Sequence, residues 1–302
     1  MFMDHEGVIF ASMQKEDIVL EVSEKGLLMQ FLLQQLKDRN RDNIKSLLRN
    51  KQVWVNGKAV SQFNHELLPG HRVLIKWKRT TGQGLGRDLQ IVFEDDHLVV
   101  IDKQPGVLSI GTGRDKETTA YNLLSAHVKS QTPASRIFVV HRLDRDTSGL
   151  MMFAKSQTVQ SRLQKTWQTS VTERTYVAVV EGKMENSEGT IRSYVYENKS
   201  MMMHSSQDPA RGELAITHYR TLKSNKDFSL LEVSLETGKK NQIRVHMQDI
   251  GHSLAGDRKY GAMGNPLGRL GLHASVLAFK HPITGESLRF KSTVPAKMLR
   301  VF

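Results

Sequence analysis

Residues 137–155 read IFVVHRLDRDTSGLMMFAK. Two apolar runs, 137–140 and 150–153, bracket the nine residues HRLDRDTSG, which hold one His, two Arg and two Asp. The runs have the length and content of core strands, so a sheet would fix the backbone of the charged segment between them. Functional groups often sit on loops held in this way. Asp144 follows Leu143; Asp146 precedes Thr147-Ser148-Gly149. One carboxylate could act as a nucleophile or base, while the other caps the turn through the Thr147 or Ser148 amide. On composition alone, a charged hairpin tip fits equally well.

The order H-R-L-D is not the H-R-D-L-x-x-x-N of protein kinases. The chain also lacks D-F-G and G-x-x-x-x-G-K-[ST], so phosphoryl transfer is a poor reading. The glycines of RTTGQGLGRD, residues 79–88, precede the strand-like LQIVFEDDHLVVIDK rather than opening a helix, which argues against a dinucleotide fingerprint and for a linker. With no cysteine, disulfides, thiolate zinc sites and cysteine nucleophiles are excluded. There is no HExxH; His65 and His71 of HELLPGH stand six apart across a proline, so no metal site is expected. No apolar run reaches the length of a membrane span, and the N-terminus, with early acids and no basic start, does not read as a signal peptide. A cytoplasmic protein without a membrane partner is expected. The net charge of +12 favours a polyanion, nucleic acid above all.

The charge is unevenly spread. Residues 1–36 hold two Lys and six acids, a net of −4; residues 37–79 hold eleven Lys/Arg and three acids, a net of +8. The N-terminal stretch reads as a helix over SEKGLLMQFLLQQL with Ser23 as its cap, a second over DNIKSLLR, a hairpin turning at Asn56-Gly57 in QVWVNGKAV, and a strand in PGHRVLIKWK. Residues 15–79 thus form a small α/β unit with a basic segment suited to phosphates. Residues 80–88 are the linker. Residues 89–302 alternate many strands (89–93, 98–102, 137–140, 150–154, 175–182, 215–222, 228–235, 270–279) with few helices (119–128, 158–169, 242–250). This predicts an α+β domain with a mostly antiparallel mixed sheet.

The signature HRLDRDTSGLMMFAKS resembles that of the pseudouridine synthases of the RluA/RluD type. In the right order, ERTYVAVVEG is similar to the strand that bears the family's active-site Tyr. LETGKKNQIRVHMQDIGHSLAGDRKYG is similar to the family's G-R-T-H-Q-I-R-V-H segment with its following G-D and Tyr, and LGLHASVLAFKHPITGE to the closing strand. The resemblance covers roughly residues 88–302. Residues 15–79, with VWVNGK and LLPGHRVLI, resemble the S-four-like (alpha-L) RNA-binding domain. Three departures stand out: Lys103-Gln104-Pro105-Gly106 for K-P-x-G, Lys239-Lys240-Asn241 for R-T-H, and Arg174 for the usual Lys before the Tyr.

The resemblance implies isomerisation of uridine to pseudouridine in RNA, ribosomal RNA first and transfer RNA as the alternative; a non-catalytic RNA-binding or ribosome-assembly protein is the alternative from another class, against which the intact Asp144, Tyr176 and Arg244 argue. The reaction has no redox change and loses no group, so no cofactor is needed; a monomer is expected. Asp144 matches the catalytic Asp, as nucleophile at C1′ or as base on the ribose. Arg244 matches its ion-pair partner. The helix pattern agrees: Ile243, Met247 and Ile250 form one stripe with Val245 nearly opposite, so the helix is covered on both sides and Arg244 needs a counter-charge. Tyr176 matches the residue that stacks on the target base; unaided, it reads as a core aromatic on one strand face with Ala178 and Val180. A target in folded RNA must be flipped out, and the planar guanidinium of Arg142 can fill the vacated stack. His141 could do the same or orient the loop. The other expected RNA contacts are Arg145, Lys239 and Lys240 in the catalytic domain, with Arg41, Lys45, Arg49, Lys51 and Lys58 in the N-terminal one.

Overall fold

The computed structural model describes residues 17–37, 39–49, 52–76, 85, 88–111 and 118–302, without the side chains of Asp42, Ser46 and Arg49. The chain divides into two compact units, Met1–Thr81 and Gly82–Phe302. Most of the expected linker, 80–88, lies outside the described residues, as does Lys51. Of that segment, the Leu85 N–H donates to the Leu89 carbonyl at 2.9 Å and the Asp88 carbonyl accepts from Gln104 N–H at 3.0 Å. Both are therefore tied to the larger unit. No helix of the described residues is long and apolar enough to cross a membrane.

In the smaller unit, strands Ile18–Glu21, Arg72–Ile75, Val53–Val55 and Lys58–Ala59 lie side by side in that order, all antiparallel. The last two turn at Asn56-Gly57, whose φ values of +48° and +80° suit the tight hairpin that this dipeptide favours. Helices Leu28–Gln35 and Arg41–Arg49 contribute Leu28, Leu32, Ile44 and Leu48 to a core with Val53, Val73 and Ile75. The first helix does not start at a Ser23 cap. Gly26–Leu27 pairs instead with Glu66–Leu67 as a short ladder, so helical backbone cannot begin before Leu28.

The larger unit is built on one eleven-stranded mixed sheet. From one edge the strands run Met203–Ser206, Glu188–Glu197, Glu213–Ser224, Phe228–Leu235, Val171–Glu181, Leu272–Lys280, Ser148–Ala154, Leu98–Lys103 and Leu89–Glu94. Ser287–Lys291 pairs onto Leu272–Lys280, and Phe138–Val139 onto Ser148–Ala154. Every pairing but one is antiparallel. The exception joins Ser148–Ala154 to Leu272–Lys280 through Ser148↔His273 and Gly149↔Ala274. The class is α+β, as the alternation of elements predicts.

Apolar residues on both faces of the central strands explain why helices cover both. Met151 and Phe153 pack with Leu124 and Val128 of helix Ala120–Gln131; Leu150 and Met152 pack with Val159 and Leu163 of helix Gln157–Lys165. Further along, Ala178, Val180, Leu231 and Val233 meet Ile243 and Met247 of helix Gln242–Asp249. Tyr176 packs against both the first and the last of these clusters. The helix read over 158–169 is two pieces, Gln157–Lys165 and Trp167–Ser170. Thr166 breaks it, its hydroxyl donating back to the Arg162 carbonyl at 2.9 Å. Three strands were not expected: Glu188–Glu197, Met203–Ser206 and Ser287–Lys291. Glu188–Glu197 and Ser287–Lys291 alternate exposed with covered residues, and Met203–Ser206 has one buried residue, so none has a long apolar run.

The charged segment is shorter than its sequence suggests, because Ser148 and Gly149 already belong to the strand. Gly149 has φ +110°, and a Cβ there would sit 2.2 Å from the Ala274 carbonyl oxygen of the parallel neighbour. Only glycine lets the two backbones meet at this point. Gly149→Ala should lower the unfolding free energy of the catalytic unit by at least about 2–3 kcal/mol. Gly285→Ala is the control: φ is +73° but nothing lies within 4 Å, so its cost is about 1–2 kcal/mol. Urea denaturation of both variants checks this, and equal losses would mean that the close approach at Ala274 is not the cause.

Candidate active site

The Asp144 loop is held first through its backbone. Ser109 Oγ donates to the Leu143 carbonyl at 2.7 Å and accepts from Leu143 N–H at 3.2 Å. Gly106 N–H donates to the Arg145 carbonyl at 3.0 Å. Lys103, with 0% exposure, directs its ammonium to three carbonyls: Val107 at 2.8 Å, Arg145 at 2.9 Å and Gln104 at 3.1 Å. Its three donors are therefore all used. Burial pulls its pKa down to about 8; Arg269 adds to that, while Asp146, Asp144 and Asp102 oppose it. The turn itself is closed by Thr147 N–H to the Asp144 carbonyl at 3.2 Å. The Asp146 carboxylate is not the cap that the sequence suggested. It is exposed and faces the buried cations Lys103 and Arg269 instead.

Asp144 is held next through its carboxylate. Arg244 grips Asp257 with two bonds, Nε to Oδ2 and Nη2 to Oδ1, both 2.7 Å. Its remaining arm, Nη1, donates to Asp144 Oδ2 at 3.2 Å. Side-chain exposure falls along this chain, from 24% for Asp144 to 15% for Arg244 and 1% for Asp257. Burial alone would lower the Arg244 pKa, but the hydrogen bonds and charge of Asp257, then of Asp144, hold it above the ordinary value. The guanidinium lies 4.7 Å from the ring centre of the fully buried Tyr260.

Helix Gln242–Asp249 presents Arg244 because the rest of it is locked in place. Ile243 and Met247 enter one core cluster and Val245 another, with Tyr260 and Val195. Gln242 donates to the Ile216 carbonyl and to Thr217 Oγ1, both at 3.0 Å, and accepts from Thr237 Oγ1 and Lys239 N–H. His246 bonds Thr217 Oγ1 at 2.8 Å and Ser193 Oγ at 3.0 Å, and burial lowers its pKa to about 4. Gln242 and His246 thus find their partners on neighbouring strands and turns and leave the guanidinium to face the loop.

Tyr176 lies in the row Gly149–Ala274–Tyr176 across three strands. A register shift between Thr175 and Tyr176 sets that alignment. Burial raises its phenol pKa; Arg174 draws it down, and Asp144 pushes it further up. Arg174 donates to the Glu236 and Leu235 carbonyls at 2.9 and 3.2 Å and sits 5.8 Å from the Trp167 ring.

The structure brings Asp144, Arg244 and Tyr176 to one place; the expected RNA contacts fare differently. Arg142 and Arg145 are exposed on the loop. His141 accepts the Met152 N–H at 3.0 Å and packs 4.9 Å from Trp167. Burial, then Arg174, lowers its pKa to about 3, so it is neutral at ordinary pH. Lys239 pairs with Glu213 at 2.6 Å, and Lys240 pairs with Glu197. Arg41, Lys45 and Lys58 are exposed in the smaller unit, and the Arg49 side chain lies outside the description. Sequence reasoning gave no site role to Asp257 or Tyr260, and met Asn241 and Lys103 only as parts of departing motifs. A Gly-Asp pair ahead of a Tyr was the signal for the first two, and a polar residue before an apolar helix for the third.

The sequence profile of the RNA pseudouridylate synthase family matches residues 97–249. The ribosomal large subunit pseudouridine synthase D of Salmonella typhimurium is 32% identical, covering 95% of this chain and 93% of that protein. The RNA pseudouridine synthase YhcT of Bacillus subtilis is 31% identical over 93% of this chain and 94% of its own length. Among solved structures, human RNA pseudouridylate synthase domain containing 4 superposes with a TM-score of 0.58 at 24% identity. That match covers 72% of this chain and 93% of the human one, a likeness of fold.

Removing Arg244 leaves two carboxylates behind, of which Asp257 is the more deeply buried. Arg244→Met should therefore destabilise the unit by about 3–5 kcal/mol. Adding Asp257→Asn should restore more of that loss than adding Asp144→Asn, because the bidentate, fully covered partner has the larger desolvation cost. Chemical denaturation of the three variants measures this. Equal restoration by both second substitutions would count against Asp257 as the main partner.

Proposed function

The chain belongs to the RNA pseudouridylate synthase family and is an RNA pseudouridine synthase, and from that premise we propose that it isomerises uridine in large-subunit ribosomal RNA with Asp144 acting at the ribose. The observation that carries the assignment is the contact between Asp144 and Arg244, itself clamped to a buried Asp257. A carboxylate can attack C1′ or take a ribose proton only when ionised, and a partly covered one stays ionised only beside a fixed positive partner. Arg244 supplies that partner without donating a proton, since guanidinium is protonated throughout the working range.

In this reading Tyr176 stacks on the target base, with its hydroxyl available to the C5 proton. Its raised pKa keeps the phenol protonated and uncharged at neutral pH, so it takes the C5 proton only as its own O–H proton passes to a neighbouring acceptor. Arg142 takes the place of the flipped base: it is exposed, two residues from Asp144, and has no hydrogen bond or ion pair among the described residues. The basic residues Arg41, Lys45 and Lys58 of the smaller, S-four-like unit contact phosphates. Large-subunit ribosomal RNA is favoured as substrate because relatives bearing that activity in their names align over nearly the whole chain. Pseudouridine mapping of ribosomal and transfer RNA from cells with and without the protein tests it. Sites lost from transfer RNA alone would overturn the ribosomal assignment.

Asp144→Asn keeps the side-chain shape and removes the charge, so pseudouridine formation should stop while RNA binding persists. A tritium-release or mapping assay beside a filter-binding assay reads both. Near-normal turnover by this variant would end the role of Asp144.

Each phosphate contact contributes about 0.7 to 0.9 to the slope of log affinity against log salt. The triple variant Arg41→Ala/Lys45→Ala/Lys58→Ala should therefore flatten that slope on ribosomal RNA by about two to three. An unchanged slope would remove these residues from the RNA-contacting set.

A further inference from the structure

Asn241 occupies the position immediately before helix Gln242–Asp249, with left-handed backbone at φ +53° and ψ +21°. Asparagine is among the few non-glycine residues that adopt this conformation readily. The turn aims its side chain at Asp144 rather than along its own helix, where it makes no capping bond. The amide lies between two groups. On one side is the Asp144 carboxylate, 2.8 Å to Oδ2 and 3.1 Å to Oδ1; on the other is the Tyr260 hydroxyl at 2.9 Å. Those neighbours decide which way the amide points. With oxygen towards Asp144, it would set its lone pairs against those of a carboxylate at 2.8 Å. That orientation keeps a 3.3 Å bond from Arg244 Nη1 and lets the amide nitrogen donate to Tyr260 Oη at 2.9 Å, but sets oxygen against carboxylate. With nitrogen towards Asp144, the amide donates to the carboxylate and its oxygen accepts from Tyr260 O–H. The second orientation gives up only the 3.3 Å contact with Arg244 Nη1, which keeps its bond to Asp144, and removes the repulsion. Tyr260 is itself fixed: it is fully buried, its oxygen accepts from Met203 N–H at 3.3 Å, and its ring lies under Arg244.

We infer that Asn241, aimed by the Tyr260 hydroxyl, is a positioning residue that donates its amide to Asp144 and holds that carboxylate in one rotamer. The inference rests on Asp144 as the reacting carboxylate. It adds a neutral donor to the charged one from Arg244. Arg244 Nη1 reaches a single oxygen, Oδ2, and one bond leaves the carboxylate free to rotate about it. The amide lies within reach of both oxygens and so fixes the plane. Tyr260 sets the polarity, because an amide whose oxygen is already bonded to a hydroxyl presents only its nitrogen to Asp144.

The test is kcat and KM, from single-turnover and steady-state pseudouridine formation by the full chain. Asn241→Gly keeps the left-handed backbone free of strain and deletes only the donor. Its kcat should fall by about 10- to 100-fold, the range for losing hydrogen bonds to a charged group, with KM nearly unchanged. Asn241→His, which can again present an N–H, should return kcat to within several-fold of wild type. Tyr260→Phe should fall between, because the amide is then free to turn. A Gly variant with wild-type kcat would overturn the inference. So would a His variant as impaired as the Gly variant, since the loss would then belong to the helix start rather than to the donor. Asp144→Asn in the same assay separates the two levels. If it is inactive while Asn241→Gly is normal, only the role of Asn241 fails; if it is active, the assignment of Asp144 fails and this inference with it.

Discussion

The bidentate bond between Arg244 and Asp257 is the constraint from which the rest of the site is measured. A carboxylate with 1% exposure must be paired, and Asp257 is paired through both oxygens. That contact uses Nε and Nη2 of the guanidinium and fixes its plane. Only the Nη1 edge remains, and it faces Asp144. The position of Asp257 is in turn set by backbone. The Asp257 N–H donates to the Leu254 carbonyl, and the Asp257 carbonyl accepts from Tyr260 and Ala262 N–H groups. The less buried carboxylate is thus located by a more buried one through a rigid cation between them. Arg is suited to this and Lys is not, because a single ammonium has no plane to transmit.

The loop reaches this arrangement from the opposite direction. Its exit strand must pass close to Leu272–Lys280 at Gly149, where no Cβ fits. Its interior carbonyls are fixed by Lys103 and Ser109. A buried lysine surrounded by carbonyls costs desolvation free energy, seen in its lowered pKa, and offsets that cost by saturating all three donors. Behind the strand, Arg269 donates to Ser148 Oγ at 2.8 Å, and Ser148 bonds His273 Nδ1 at 2.9 Å. Backbone restraint sets where the Asp144 Cα lies, and side-chain restraint sets where its oxygens point; neither alone would fix both.

The legible parts of the sequence were those in which one residue carries its own reason. Central strands announced themselves as unbroken apolar runs because both faces are covered. Arg244 could be read as buried from its apolar neighbours on both sides, and Asn56-Gly57 as a turn from its backbone preference alone. What escaped depends on pairs far apart in the chain. Asp257 looks like a surface aspartate until Arg244, thirteen residues earlier, is seen to cover it. Asn241 looks like a departure from a motif until the strand order brings it against Asp144, one hundred residues away in the case of its neighbour Arg244. Glu188–Glu197 was missed for the opposite reason: an edge strand with one exposed face has little hydrophobic signal to read.

The same distinction sorts the cations. Lys103, Arg174, Arg244 and Arg269 are committed to carbonyls or buried carboxylates, and taking any of them away leaves a polar group without a partner. Lys239 and Lys240 are held only by the surface acids Glu213 and Glu197. Exposed pairs of this kind are worth about 0–1 kcal/mol. Exchanging a glutamate for an RNA phosphate at either lysine therefore costs little and loses no fold stability. Arg142 and Arg145 need no exchange, being exposed from the start. A net charge of +12 thus divides into cations that build the site and cations that remain at the disposal of a polyanion. The boundary between the two sets runs through the signature itself, between the half-buried, neutral His141 and the exposed Arg142 beside it.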